Sequence, residues 1–270
     1  METDMRKIVV SVAPVEAGKP VDADKLAADV EKCAKAGAAM VHLHCRRPDG
    51  SLTPDISYMA ECFDKILERA DLVIQASTGG VSDLNIIERC EPLKYPRTET
   101  ASLNAGSTNL GDAVYLNPFE DIEYCASEIY KHNVIPDVEV FDIGMIENIE
   151  RMRGKVPFRH PIFYNLVFGH RGGMQANVNS LIAFRSMVPS DAKWGVTHFG
   201  RDNWDFLAAA LALGAETVRI GFEDSAYLAP GKYAEHNYEL VARLVEMIHA
   251  MGLENATPEE ARKIMGTLKG

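Results

Sequence analysis

Short apolar runs rich in β-branched residues alternate with longer amphipathic stretches along the chain. Such runs predict buried strands, and apolar side chains spaced three or four residues apart predict helices. The runs predict eight strands, Lys7–Ala13, Ala39–His44, Asp71–Ser77, Glu99–Asn104, Val134–Asp142, Pro161–Phe168, Lys193–Phe199 and Glu216–Phe222. The stretches between and after them predict the helices Asp22–Ala36, Ile56–Arg69, Ser82–Cys90, Pro118–His132, Met145–Arg153, Val178–Met187, Asn203–Leu213 and Tyr233–Met251.

One more amphipathic stretch, Pro258–Lys269, predicts an additional helix at the carboxyl end. Consecutive strand–helix units in this number are typical of a parallel sheet that closes on itself. The predicted fold is therefore a (β/α)8 TIM barrel with a C-terminal extra helix, in a single domain over residues 1–270. A doubly wound open sheet is the alternative, and it is less favoured because no Gly-x-Gly-x-x-Gly motif follows the first strand.

The composition is that of a globular protein with a large core. The 270 residues are 47% hydrophobic and 25% charged, and 39 acidic against 28 basic residues give a net charge of −11. An acidic chain is a poor partner for nucleic acid, and no apolar stretch reaches membrane-spanning length. The five cysteines form no Cys-x-x-Cys pair, which predicts reduced thiols and a cytoplasmic location.

Two histidines end the second predicted strand, and in barrels of this kind the active site lies where the strands end. Side chains two residues apart on a strand face the same side, so His42 and His44 both point into the barrel. Imidazole is a good ligand for zinc, and the pair predicts a catalytic divalent metal. A structural histidine pair is the alternative. Cys45 is a weaker candidate ligand, since alternation turns its side chain away.

The eighth predicted strand ends in a cluster of charges. Alternation places Arg219 and Glu223 on the inward face, where a buried charge needs a partner or a metal. Glu223 is then a candidate third ligand, and Arg219 a cation for a carboxylate or an oxyanion. Asp224 is a candidate base, or the group that orients Arg219. A salt bridge that closes the barrel is the alternative interpretation of the Arg219–Asp224 pair.

Polar residues at other strand ends are candidate substrate contacts. Small hydroxyls and glycines expose amides that can hold an anion, and inward amides and carboxylates can hydrogen-bond a ligand. The set comprises Glu16, Ser77, Thr78, Gly79, Ser102, Asn104 and Glu139. The glycine-rich loop with His170 and Arg171 is expected to close over a substrate, to receive a phosphate or to be a surface turn. His198, at the end of the seventh strand, is a weaker ligand candidate.

Six ordered motifs resemble those of the β-keto acid cleavage enzymes, a family whose best-known member is the 3-keto-5-aminohexanoate cleavage enzyme. The motifs extend from Glu16 to the eighth helix and are VHLHCR with an acid–Gly step soon after, VIQASTGG, ASLNAGSTNLGD, PDVEVFDIGM, the GGM loop and VRIGFEDS. Ser102 and Ser225 depart from the expected threonine and asparagine. The loop Ala-Pro-Val-Glu ending at Glu16 departs from the expected Gly-Ala-Glu.

The resemblance implies a (β/α)8 barrel with zinc held by His42, His44 and Glu223. It implies a Claisen-type exchange in which a β-keto acid and acetyl-CoA give acetoacetate and a new acyl-CoA. The Arg219–Asp224 pair would then help to deprotonate the acetyl methyl, with the base left open, and Ser77 and Ser102 would hydrogen-bond the keto acid. Glu16 would meet a cationic substrate such as 3-keto-5-aminohexanoate or dehydrocarnitine, and a homotetramer is expected.

The alternative function is a metal-dependent hydrolase or aldolase on the same barrel, in which the open metal position activates water. A non-catalytic binding protein is a third hypothesis. Turnover in the absence of CoA distinguishes the first alternative from an acyltransferase.

Overall fold

The computed structural model describes residues 5–267. Its strands, in chain order, are β1 (Lys7–Val12), β2 (Met40–Leu43), β3 (Val73–Ala76), β4 (Thr100–Asn104), β5 (Thr108–Leu110), β6 (Ala113–Tyr115), β7 (Ile135–Val140), β8 (Phe163–Phe168), β9 (Lys193–His198), β10 (Thr217–Ile220), β11 (Tyr227–Ala229), β12 (Lys232–Tyr233) and β13 (Glu254–Asn255). The helices are α1 (Ala23–Ala36), α2 (Ser57–Leu67), α3 (Ile86–Arg89), α4 (Phe119–Lys131), α5 (Ile143–Met152), α6 (Val178–Met187), α7 (Asp205–Ala212), α8 (Asn237–Ala250) and α9 (Pro258–Met265). A 3₁₀ turn covers Glu91–Lys94.

A closed parallel barrel is the centre of the molecule. Strands β1, β2, β3, β4, β7, β8, β9 and β10 pair in that order, and β10 returns to pair with β1. At the closing seam Val9 lies opposite Thr217 and Ser11 opposite Arg219. The predicted (β/α)8 barrel and its extra C-terminal helix are thereby confirmed. The short strand β13 adds to β1 at the amino end, and the antiparallel hairpins β5–β6 and β11–β12 were not predicted.

The element boundaries follow local capping and turn residues. Asp22 caps α1, its carboxylate accepting from the amides of Asp24 and Lys25. The predicted helix Ser82–Cys90 is wrong in its first half, because Asn85 forms a capping box and α3 begins only after it. The last helix ends at Gly266, whose φ of 70° suits a C-cap.

A few predicted boundaries fall beyond the described residues. The predicted last helix reached Lys269, and residues 268–270 lie outside the described part of the chain, as do residues 1–4 of the predicted domain.

Among the described helices, none is both long and apolar enough to cross a bilayer.

The main core lies between the barrel and its surrounding helices. Phe63 and Ile66 on α2, Leu181 and Phe184 on α6, and Phe168 on β8 are fully buried there. Each such side chain contributes on the order of 1.5–3 kcal/mol relative to an exposed one. This burial fixes the ring of helices and hence the positions of the loops that leave the strands.

The amino end of the barrel is closed by apolar side chains and by α9. Val9, Met40 and Val73 point into this end and pack with Ala261 of α9. Arg262 extends from the same helix and binds two carboxylates that precede strands. It donates to Glu99 at 2.9 and 3.0 Å and to Asp71 at 2.8 and 3.0 Å. This end is therefore sealed, and access to the lumen is left to the opposite end.

Candidate active site

Three potential metal ligands meet at the carboxyl end of the barrel. His42 is in β2, His44 follows it, and Glu223 lies in the turn after β10. A carboxylate oxygen of Glu223 lies 3.7 Å from Nε2 of His42 and 3.4 Å from Nε2 of His44. One ligand atom from each residue falls within 4.8 Å of the others. The fold thus brings the predicted ligand Glu223 next to the two histidines, which are distant from it in sequence.

The hydrogen bonds of the two imidazoles leave the same ring nitrogen of each free for a metal. Nδ1 of His42 lies 2.7 Å from the side-chain oxygen of Gln75, and Nδ1 of His44 lies 3.1 Å from the carbonyl of Gly79. Both partners are acceptors, so each Nδ1 carries the proton and each Nε2 has a lone pair. Burial lowers the pKa of His42 to about 3, which keeps this ring neutral.

The Nε2 atom of His42 is the strongest indication that this site binds a metal. This atom is buried and has no hydrogen-bond partner among the described residues. A buried polar atom without a partner is costly unless a ligand binds it. Two neutral imidazoles and one carboxylate form a typical catalytic zinc set, with one coordination position left for substrate.

Glu223 reaches the site through a turn and not by strand alternation. The predicted strand to Phe222 is wrong at its end, since β10 stops at Ile220 and Gly221 adopts a φ of 139°. The amide of Glu223 then donates to the carbonyl of Ala13 at 3.1 Å. Burial alone would raise the pKa of Glu223, but nearby positive charge, including that of Arg219, outweighs it and lowers the pKa.

A buried ion pair adjoins the ligand set. Arg219 donates to both oxygens of Asp224, at 2.6 and 3.0 Å. It also lies 3.3 Å from Glu223 and 3.5 Å from Glu139. Burial disfavours the guanidinium, but the carboxylates of Asp224 and Glu223 raise its pKa overall, so Arg219 stays a cation. Burial raises the pKa of Asp224, against the opposing effect of Arg219.

A hydrogen-bonded pair behind His42 was missed by the sequence prediction. The amide of Gln75 accepts from His42 and donates to Asp137 at 2.9 Å. Burial raises the pKa of Asp137 to about 6. Partners of this kind orient a metal-binding imidazole and fix its tautomer. Alternation along β3 and β7 could have predicted this pair. Gln75 shares the inward face with Ser77, and Asp137 shares it with Glu139.

A cavity of about 1100 Å³ opens above these groups. Several of the residues predicted from the strand ends line it: His44, Ser77, Gly79, Glu139, Arg219, Glu223 and Asp224. His42 lies beneath them and is buried. Ligand set, ion pair and opening therefore belong to one site.

Three predicted substrate contacts lie behind the cavity wall. The hydroxyl of Ser102 accepts from the amide of Thr78 at 3.1 Å and lies 3.4 Å from the hydroxyl of Ser77. The hydroxyl of Thr78 donates to the carbonyl of Ser102 at 2.6 Å. Asn104 is buried, and its side-chain oxygen accepts from the amide of Gly106. Thr78 and Ser102 are thus bonded to each other behind the wall, and Ser102 contacts Ser77, which does line the cavity.

Glu16 is placed away from the cavity. Its side chain is 57% exposed, and its carboxylate lies 4.0 Å from the ammonium of Lys19. The residues of this loop that line the cavity are Ala17 and Gly18. The structure therefore does not bring Glu16 to the site, because the loop turns its side chain to solvent.

The glycine-rich loop after β8 covers one side of the cavity. His170 stacks on Phe199 with ring centres 4.0 Å apart and lies 5.4 Å from Phe141, and burial lowers its pKa to about 4. Arg171 lines the cavity but pairs with Asp112 on the surface.

Two other candidate ligands lie outside the site. The ring of His198 packs against Phe206 at 5.0 Å. The thiol of Cys45 donates to the carbonyl of Asp55, away from the ligand set as predicted. All five cysteines are free and buried.

Comparison with known proteins identifies the family of this chain. The family model described as beta-keto acid cleavage enzyme matches residues 14–267. The chain belongs to this family. The predicted resemblance is confirmed, and the protein is an enzyme of the acyltransferase type.

Relatives within the family differ in the keto acid that their names specify. The chain is 34% identical to a 3-keto-5-aminohexanoate cleavage enzyme of Fusobacterium nucleatum subsp. nucleatum, over 93% of this chain and 91% of that protein. It is 30% identical to a 3,5-dioxohexanoate:acetyl-CoA acetone transferase of Paraburkholderia graminis, over 98% and 97%. A 3-oxoadipate:acetyl-CoA acetyltransferase of Cupriavidus necator is 29% identical over 92% and 87%.

A solved structure shares the barrel. ObcA in ternary complex with a C4-CoA adduct and oxalate matches with a TM-score of 0.76 at 19% identity, over 92% of this chain and 67% of that one. At this identity the likeness supports the fold alone.

Proposed function

We propose that the protein is a zinc-dependent β-keto acid cleavage enzyme that exchanges acetyl-CoA with a β-keto acid to give acetoacetate and a new acyl-CoA. One observation carries the proposal: the free Nε2 atoms of His42 and His44 face Glu223 directly beside the Arg219–Asp224 pair, in one cavity. The names of the relatives, which specify transfer between keto acids and acetyl-CoA, support it.

The balance of atoms fixes which carbon must be activated. Acetoacetate combines the acetyl group of the thioester with the CH2–COO⁻ unit of the keto acid, and CoA passes to the remaining acyl group. The C2–C3 bond of the keto acid breaks, and C2 bonds to the acetyl carbonyl carbon. The proton to be removed is therefore on C2 of the keto acid, and not on the acetyl methyl as the resemblance suggested.

Zinc, bound by His42, His44 and Glu223, would act as a Lewis acid toward the keto acid and make its C2 more acidic. Asp224 is the member of the ion pair that can accept the C2 proton, because Arg219 stays a cation while burial raises the pKa of Asp224. The Arg219 guanidinium would stabilise the negative charge that develops.

The remaining cavity residues bind and orient the keto acid. The Ser77 hydroxyl lines the cavity and is held by Ser102, so it is positioned to donate to the acid. The Ser102 hydroxyl lies directly behind it and fixes its direction. Glu139 contacts Arg219 at 3.5 Å and helps to hold the guanidinium toward the substrate.

The test is acetoacetate production from a panel of β-keto acids with acetyl-CoA and zinc, followed by mass spectrometry. Acetoacetate is expected only when all three are present, and it should disappear in the His42→Ala, His44→Ala double variant. Unchanged activity in that variant would contradict the proposal. Turnover of the keto acid without acetyl-CoA would instead favour the hydrolase or aldolase alternative.

Three properties stay predictions. The homotetramer, the cytoplasmic location and the single domain over residues 1–270 are supported by the resemblance, the reduced cysteines and the continuous barrel respectively. Size-exclusion chromatography with light scattering measures the first of these directly.

A further inference from the structure

We propose that the β-keto acid of this enzyme carries an uncharged, apolar substituent on its keto carbon, and that this substituent lies against the loops that follow β1, β2 and β3. The inference rests on the proposed function and specifies its substrate. It replaces the cationic substrate that the position of Glu16 in the sequence suggested.

The part of the wall closest to the metal ligands presents the apolar side chain of Leu52. A Cβ atom built on Gly80 would lie 2.9 Å from Cδ1 of Leu52 and 3.7 Å from Cε1 of His44. The Leu52 methyl therefore lies next to the imidazole of a ligand, with no side chain on Gly80 between them. A keto acid bound at His44 extends its substituent past this methyl.

Among the described residues, the outer part of the same wall contains no buried carboxylate. The β1 loop contributes Ala17 and Gly18, and the β3 loop contributes Val81 and Leu84. Asp83 is at the exposed rim, where water screens its charge. The glutamate of this region, Glu16, faces Lys19 and solvent.

A cation on this side of the cavity disfavours a cationic substituent. Arg46 lines the cavity, and its guanidinium donates to the carbonyl of Gly50 at 2.9 Å. Its Nε is buried and unpartnered within residues 5–267. An ammonium bound here would lose water, gain no carboxylate and lie near a cation, whereas a methyl group would gain apolar contact.

A matched pair of substrates tests the inference. The acids 5-methyl-3-oxohexanoate and 5-amino-3-oxohexanoate differ only in a methyl or an ammonium at the same carbon. The zinc-loaded enzyme is expected to use the methyl compound with a kcat/KM at least about tenfold higher, since one buried apolar group gives discrimination of this order. An equal or higher value for the amino compound overturns the inference and leaves the proposed function standing. Formation of no acetoacetate from either acid or from the wider panel overturns the proposed function itself.

A pair of variants tests the position of the substituent. Ala17→Glu adds a carboxylate to the wall at an exposed loop position, and Ala17→Gln adds an uncharged side chain of the same length. Ala17→Glu is expected to shift the ratio of kcat/KM values toward the amino compound by about tenfold, mainly through KM, as a new charge-assisted contact would. Ala17→Gln should leave the ratio within about twofold of the wild type. A ratio that Ala17→Glu does not change would overturn the placement on this wall.

Discussion

The two ends of the barrel differ in how completely their polar side chains are paired. At the amino end all three guanidinium nitrogens of Arg262 donate to Asp71 or Glu99. At the carboxyl end Nε2 of His42 and Oδ1 of Asp137 are buried without partners in the described chain. Polar groups that are fully paired hold a structure together, whereas unpaired ones at high density mark a place where a ligand completes the bonding.

The contrast extends to the elements that supply the charges. Arg262 comes from α9, which follows the completed barrel, and it ties together residues that precede β3 and β4. The charged residues of the carboxyl end lie at strand ends and in turns. The residues next to them therefore depend on the conformation of the loops there. The amino end therefore contributes to stability and the carboxyl end to catalysis. Substitutions at the amino end should change the free energy of unfolding, and substitutions at the carboxyl end should change activity.

The largest effect is expected from Asp224→Asn. The amide keeps a hydrogen bond to Arg219 but cannot accept the C2 proton, so kcat should fall by about 10²–10⁴-fold, the usual contribution of a general base. Zinc content by atomic spectroscopy should stay near that of the wild type. The matched change at the amino end, Asp71→Asn, should leave kcat unchanged. A similar kcat in both variants would argue against Asp224 as the base.

A smaller effect is expected from Gln75→Leu, which removes the acceptor of the His42 Nδ1 proton. Loss of a group that orients a metal-binding imidazole costs about 10- to 100-fold in metal affinity. Competition with a chromophoric chelator measures this affinity without reference to turnover. Glu99→Gln, at the opposite end, is the control and should lower the melting temperature while leaving zinc affinity intact. Equal zinc affinity in Gln75→Leu and the wild type would mean that Gln75 has only a packing role.

The pH dependence of stability should also distinguish the ends. Burial raises the pKa of Glu139 from 4.5 to about 7, so its carboxyl favours folding when protonated. That contribution is complete below 4.5 and is lost as the pH rises through 7. Between pH 5 and pH 7, the metal-free wild type should lose about 2 kcal/mol relative to Glu139→Gln. Denaturant unfolding at the two pH values measures the difference, and a constant difference would contradict a raised pKa.

The smallest effect is expected at Asp71, with the opposite sign. Its hydrogen bond from Arg262 lowers the pKa of Asp71 below its ordinary value of 3.8. The stabilisation is therefore present above 3.8 and lost as the pH falls through the lowered value. Because Asp71 is largely exposed, Asp71→Asn should cost no more than about 1 kcal/mol at pH 7. The difference from wild type should vanish in acid, and a difference that grows there would contradict the assignment.

The sequence was sufficient for the barrel and for most of the site, because strand periodicity and strand ends are local properties. His42 and His44 required only alternation along one strand. Glu223 was assigned correctly as a neighbour of the histidines, but for the wrong geometric reason, since its approach depends on the turn at Gly221. Gln75 was not found, because its role appears only when two strands lie side by side and its amide reaches both His42 and Asp137.

The position of Glu16 shows a different limit of sequence reasoning. Strand order placed its loop at the correct end of the barrel, but the direction of a side chain in a loop depends on how the loop packs. Here the loop packs against the turn at Gly50, with the amide of Val21 donating to the carbonyl of Pro48, and Glu16 is left facing solvent. Spacing along the chain contains no information on that contact.

The pairing of β10 with β1 has a consequence for how the enzyme is made. The two histidines emerge early in synthesis, whereas Glu223 joins them only after the last strand of the barrel, through its hydrogen bond to Ala13 at the seam. A nascent or split chain that stops before β10 therefore has the two imidazoles without the carboxylate. Full metal affinity arises only once the ring has closed, so a half-barrel expressed alone is an incomplete chelator, and mixing complementary halves should restore tight zinc binding only when the seam forms.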